Sequence, residues 1–165
     1  MTQSSEDPPV AKQSTPSKYR DPTSGPIITP RAVIALLLVV VGIAWIVYYY
    51  LGVRVDPDVL PAPKPGGPGF MADLGKWNYA IGFGLLMLGL AASAHPATPL
   101  GRGRGVVVGM LGCFVIGLIW ICTFYVVSDP DSLPKIPVMN DLGQYNLLVG
   151  IAFMGVGFTF ATRWE

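Results

Sequence analysis

The stretch DLGKWNYAIGFGLLMLGLAAS, Asp73 to Ser93, recurs 68 residues later as DLGQYNLLVGIAFMGVGFTFA, Asp141 to Ala161. Asp73, Leu74, Gly75, Asn78, Gly82 and Gly89 fall on Asp141, Leu142, Gly143, Asn146, Gly150 and Gly157. Upstream, Gly42, Trp45 and Tyr50 match Gly117, Trp120 and Tyr125, and Asp56-Pro57-Asp58-Val59-Leu60-Pro61 matches Asp129-Pro130-Asp131-Ser132-Leu133-Pro134, in the same order. The chain therefore reads as one unit repeated in tandem.

Each copy of the stretch sits in a run without Asp, Glu, Lys, Arg or Pro. There are four such runs: 32–53, 77–94, 105–127 and 145–162. About 20 residues rising 1.5 Å each cross a hydrocarbon core of roughly 30 Å. All 16 prolines lie outside the runs, as a backbone that must satisfy its own hydrogen bonds in lipid requires. The whole chain is 52% apolar and 13% charged, with a mean hydropathy of +0.52. A single apolar core helix of a soluble protein would account for one run; four in 165 residues point to membrane spans. The first run follows 31 mostly polar residues and lacks a small-residue cleavage site before Tyr48-Tyr49-Tyr50, so it does not read as a secretory signal.

The expected fold is an all-α integral membrane protein, with four transmembrane helices arranged as two helical hairpins repeated in parallel. Residues 1–31, rich in Pro, Ser and Thr, form a disordered cytoplasmic tail. This tail suits either a docking arm for a soluble protein or a solvated leader. Residues 32–95 make the first unit (helices 32–53 and 77–94), 96–104 a cytoplasmic linker, and 105–165 the second unit (helices 105–127 and 145–162). The Pro/Gly tract Pro61 to Gly69 reads as an extended spacer, because most of it is missing from the shorter loop of the second unit.

The repeated motif has a local explanation. Asp73 and Asp141 are placed to cap the helix that follows, while Trp77, Tyr79 and Tyr145 suit the headgroup region. Asn78 and Asn146 lie at the start of apolar helices and call for a partner, an interhelical hydrogen bond being the expected one. Gly105, Gly109, Cys113 and Gly117 recur every four residues, a small-residue stripe expected to pack against a helix of the first unit and so hold the chain as a covalent pseudo-dimer. Gly82, Gly89, Gly150 and Gly157 are further candidates for close helix packing, and such faces also suit association with a second copy.

Basic residues set the expected orientation. Lys12, Lys18, Arg20, Arg31, Arg102, Arg104 and Arg163 fall on the side of both termini, against Arg54, Lys64, Lys76 and Lys135 on the other. Positive residues favour the cytoplasm, so both termini face it and the chain is a multi-pass protein of the cell membrane.

Several classes of function are excluded or disfavoured. A net charge of +1 with no dense basic patch gives nucleic acid nothing to bind. His95 is the single histidine and reads as a headgroup contact; no metal or other cofactor is expected. Cys113 and Cys122 stand about 13 Å apart along one helix and cannot pair. Gly101-Arg-Gly-Arg-Gly105 lacks the strand and the Gly-Lys-Ser/Thr ending of a phosphate loop. No nucleophile-base pair or carboxylate pair can be assembled, so an enzyme is not expected. A transporter or channel would keep ionisable groups within its spans, and none is there.

Leu74-Gly75-Lys76-Trp77-Asn78-Tyr79-Ala80-Ile81-Gly82-Phe83, together with the terminal Thr162-Arg163-Trp164, resembles the second membrane segment and C-terminal end of the CrgA family of actinobacterial cell-division proteins. That family joins a polar tail, one membrane helix, a short external loop and a second helix, and this chain resembles two such proteins end to end. The first unit has Ala94-His95-Pro96 where the Arg-Trp ending would fall, and the second has Tyr145 at the place of the Trp. The resemblance implies a non-enzymatic scaffold at the division septum that coordinates FtsZ-ring assembly with septal peptidoglycan synthesis through contacts with other membrane division proteins. An accessory subunit of another membrane complex is the alternative from a different class.

Overall fold

The computed structural model describes residues 26–56, 59–61, 63–128 and 136–162, and among these residues all regular secondary structure is helical. Helix α1 spans Pro30–Tyr48 and continues as a widened π turn, Tyr49–Val53; α2 (Gly69–Leu74) is short; α3 spans Trp77–Ser93; α4 spans Arg104–Val126; α5 (Met139–Leu142) is again short; α6 spans Tyr145–Ala161. Most of the tail, part of the second loop and the Arg163-Trp164 ending lie outside the described residues.

The first helix begins inside the segment assigned to the tail. Pro30 occupies the first turn, where its missing N–H costs nothing, and Thr29 Oγ1 accepts from the Ala32 N–H at 3.1 Å. The same hydroxyl donates to the Ala97 carbonyl at 2.9 Å, which ties the helix start to the linker.

Two helices, Pro30–Val53 and Arg104–Val126, are long and apolar enough to cross a membrane; α3 and α6 are apolar helices of 17 residues each. Only 22% of the most apolar window of either long helix is buried. A core helix of a soluble protein buries most of its length. Here Leu36, Val108 and Leu118 stand more than half exposed, on the outer surfaces of α1 and α4. Exposed apolar area of that extent is unstable in water and suited to lipid, which places the chain in a membrane.

α1 lies antiparallel along α3, and α4 antiparallel along α6, with α3 also meeting α6. Glycines permit the close approach. A Cβ on Gly42 would stand 2.7 Å from the Gly82 carbonyl oxygen, and one on Gly89 2.8 Å from that of Ala35. In the second pair a Cβ on Gly117 would stand 2.6 Å from the Gly150 carbonyl oxygen, and Gly157 faces Phe114. Without a hydrophobic force between helices in lipid, such backbone-to-backbone contact is what association depends on.

This arrangement corrects the expected partner of the small-residue stripe. Gly109 faces the ring of Phe160 and Gly117 faces Gly150, both on α6 of the same unit, while Gly105 abuts Pro99 and Leu100 in the linker. The stripe closes its own hairpin. Cys113, also in the stripe, joins Ala94 of the first half in a buried cluster.

The seam between the two pairs is built from larger side chains. Tyr49, Val53, Met71, Tyr79 and Leu86 of the first half form one buried cluster with Leu142, Val149 and Phe153 of the second, and Phe83 meets Trp120 edge to face at 5.7 Å. Nearer the other end, Ala94 packs with Val106, Cys113, Val156 and Phe160.

Candidate functional site

At one end of the molecule each long apolar helix of the repeated motif is preceded by a short helix and a glycine. Gly75 has φ 51° and ψ −129°, and Gly143 has φ 51° and ψ −126°, backbone angles that a side chain would resist. The reversal they allow brings the short helix back over the first turn of the long one. Asn78 Nδ2 then donates to the carbonyls of Met71 and Gly75, at 2.7 and 2.8 Å, and Asn146 Nδ2 donates to those of Met139 and Gly143, both at 2.8 Å. Both asparagines are fully buried. The asparagines thus bond between helices, but to the short helix just before in the chain, α2 or α5, and not to a neighbouring long helix, since those carbonyls, left free at the end of a short helix, are the nearest acceptors. Among the described residues their Oδ1 atoms and the indole N–H groups of Trp45 and Trp120 are buried without a hydrogen-bond partner.

The aspartates differ from expectation as well. Lys76 and Gln144, not Asp73 and Asp141, occupy the positions before α3 and α6, and no side chain caps either helix. Asp73 is exposed. Asp141 instead reaches across the seam: its Oδ2 accepts from Arg54 Nε, in an ion pair whose two side chains are only 9% and 14% exposed, and from the Tyr79 hydroxyl at 2.6 Å. Arg54 also stands 4.9 Å over the Tyr50 ring and 3.7 Å from Asp56. The hydrogen bond from Arg54 to Asp141 pushes the guanidinium pKa above its usual value and outweighs burial.

The local fold explains how Arg54 arrives there. The π turn at Tyr49–Val53 closes with the Arg54 N–H donating to the Tyr49 carbonyl at 2.9 Å. Its extra residue turns Tyr49 and Val53 inward and delivers Arg54 at the seam. Tyr49 then meets Tyr79 edge to face at 5.0 Å. Tyr79, expected beside Trp77 as a headgroup anchor, is 1% exposed and belongs to this junction, whereas Trp77 and Tyr145 are 73% and 64% exposed on the outer surface. A cavity lined by Trp77, Tyr79, Phe83, Asp141, Tyr145 and Leu148 opens beside the junction, between α3 and α6.

Arg54 and Asp141 as a pair escape a reading of the repeat, because identities are what define a repeat and this contact depends on differences. Where the first half has Tyr49, Tyr79 and Arg54, the second has Phe124, Leu147 and, past the end of α4, Val127 and Ser128. At these matching positions Asp73 has neither a cation nor a phenol to meet. Those departures between otherwise matching halves were the available signal.

Among the described residues no group of His, Cys, Asp and Glu is arranged to hold a metal ion. Cys113 is buried and Cys122 exposed, both free thiols. The junction positions two helix pairs.

Comparison with known proteins follows the two halves. The family model described as cell division protein CrgA matches residues 1–95 and again 97–165. Similar proteins include the cell division protein CrgA of Corynebacterium glutamicum (strain R), 41% identical over 80 residues, which are 47% of this chain and 76% of that protein. That of Streptomyces avermitilis is 39% identical over 66 residues, 40% of this chain and 71% of the relative, and that of Mycobacterium sp. (strain KMS) is 33% identical over 82 residues, 50% and 77%. No solved structure matches.

Proposed function

This chain belongs to the CrgA family of cell-division proteins, and from that premise we propose that it is a non-enzymatic membrane scaffold that coordinates FtsZ-ring assembly with septal peptidoglycan synthesis. The observation that carries the reading is the double family match, 1–95 and 97–165: two copies of a division-protein unit in one chain offer two sets of helix faces and loops to other membrane division proteins. The residues support a scaffold in kind, because their polar groups are spent on holding helices together: Asn78 and Asn146 on the turns, and Arg54, Tyr79 and Asp141 on the seam.

In this reading all four apolar helices cross the membrane, the shorter α3 and α6 with their partners, as two hairpins in tandem with both termini in the cytoplasm. The division of charge supports that orientation. Among the described residues Arg31, Arg102 and Arg104 stand at one end and Arg54, Lys64 and Lys76, with Asp56, Asp73 and Asp141, at the other; over the whole sequence the first side also holds Lys12, Lys18, Arg20 and Arg163, against Lys135 on the second. The cationic end is the cytoplasmic one.

A fluorescent fusion of the full chain, imaged in dividing cells of its own host, should give a band at the septum. Uniform membrane fluorescence in cells with a formed division ring would overturn the scaffold reading. Topology is read separately from single cysteines at Gly66 and Gly101 in a chain lacking Cys113 and Cys122. An impermeant thiol reagent on intact cells should label Gly66→Cys alone, and labelling of Gly101→Cys would reverse the orientation.

A further inference from the structure

At the end of the molecule away from the ion pair, a cavity of about 460 Å³ opens among the start of α1, the end of α3 and the end of α6. Its walls divide by chemistry. Ile34, Ala91 and Ala92 line it towards the apolar belt, and Arg31, His95 and Thr162 line it towards the polar edge.

The polar wall brings two donor groups side by side. The Ala97 N–H points at His95 Nδ1 at 3.0 Å, and Arg31 Nη1 stands 2.8 Å from His95 Nε2. A neutral imidazole accepts at one nitrogen and donates at the other, and a guanidinium only donates. The Ala97 N–H holds Nδ1 as an acceptor, which leaves the proton of a neutral ring on Nε2, while Arg31 Nη1, also 3.4 Å from Nδ1, lies over the ring and out of line with that N–H. An acceptor lodged beside Nε2 and Nη1 would take both protons. No carboxylate among the described residues stands at this end to supply it; Asp56, Asp73 and Asp141 all lie at the other. Arg102 and Arg104 add to the positive charge there, Arg102 holding the chain before α1 through the Pro26 carbonyl at 2.8 Å.

We propose that this cavity binds an anionic glycerophospholipid, with a phosphate oxygen between Arg31 and His95 and an acyl chain along Ile34, Ala91 and Ala92. A basic pocket between apolar helices at the membrane edge is suited to a phospholipid headgroup, and an apolar wall running from it into the hydrocarbon is what separates a lipid site from a site for free phosphate. The lipid contacts α1, α3 and α6 together, so it bridges the two hairpins at the end where the ion pair does not reach.

The test uses the full chain in a zwitterionic detergent, titrated with dioctanoyl phosphatidylglycerol or dioctanoyl phosphatidylcholine, with bound lipid counted by native mass spectrometry. Phosphatidylglycerol should bind at least about fivefold tighter, the worth of one basic residue near an anionic headgroup. Arg31→Ala should remove that preference and Arg31→Lys should keep it. Ala92→Phe, which fills the apolar wall from an exposed position, should weaken both lipids alike. Equal binding of the two lipids by the unaltered chain, or an undiminished preference in Arg31→Ala, overturns the proposal. Displacement of phosphatidylglycerol by an equal concentration of inorganic phosphate also overturns it, by reducing the site to one for a bare anion.

Discussion

Asp73 and Asp141 open the same motif in the two halves of the chain, one exposed to solvent and the other clamped between an arginine and a tyrosine from the opposite half. Everything local to the motif is shared between them: the short helix, the glycine at φ 51°, the buried asparagine donating to two carbonyls. What differs is the neighbour. A repeat carries its internal structure wherever it goes, because those contacts are made within some ten residues. Contacts between copies are not repeated when the copies are joined in one chain, and each copy is free to become one side of a single seam. The first half has become the donor side, with Arg54 and Tyr79, and the second the acceptor side, with Asp141.

The largest effect should come from cutting that seam. Asp141→Ala leaves Arg54 without its main partner at a site where its side chain is 9% exposed, and removing one member of a buried pair costs about 3 to 5 kcal/mol. Asp73→Ala, the same change in the matching place, should stay within about 0.5 kcal/mol because that side chain is exposed. Unfolding by sodium dodecyl sulfate in mixed micelles, followed by tryptophan fluorescence, measures both. Equal losses would break the comparison.

A smaller loss is expected where the two halves are alike. A Cβ on Gly42 and one on Gly117 would meet the backbone of the facing helix at 2.7 and 2.6 Å, so Gly42→Val and Gly117→Val should each cost about 1 to 3 kcal/mol, and by similar amounts. Because Gly117 faces α6, the change should open the second hairpin and leave the seam in place. Cysteine crosslinking between α4 and α6 should fall in Gly117→Val while crosslinking between α3 and α6 persists. Loss of the second with the first would mean that the stripe holds the halves together after all.

The smallest effect isolates one hydrogen bond. Tyr79→Phe removes the 2.6 Å bond to Asp141 but keeps the ring against Tyr49, a loss of about 1 to 2 kcal/mol in the same unfolding measurement. Combined with Asp141→Ala the two losses should fall short of their sum, because both changes remove the same contact. Strict additivity would show that Tyr79 acts through its ring alone.

The sequence by itself determined where the four apolar helices lie and that two of them, Pro30–Val53 and Arg104–Val126, are long and apolar enough to cross a membrane. Runs of about 20 apolar residues free of charge and proline admit little else, and that property is local to each run. It also marked Asn78, Asn146 and the glycines as constrained positions through their recurrence. It did not indicate which helix each glycine faces. The four helices are apolar on every side, so the alternation of polar and apolar faces that orients a helix in a soluble protein is missing here. The partner of Asp141 was hidden for a related reason. Arg54 lies 87 residues away in the chain, at the end of a π turn whose single extra residue sets its direction, and no residue spacing records where two hairpins meet. Only tertiary packing decided that, because in lipid the choice rests on shape and on a few polar contacts between distant residues, and those exist only once the helices are side by side.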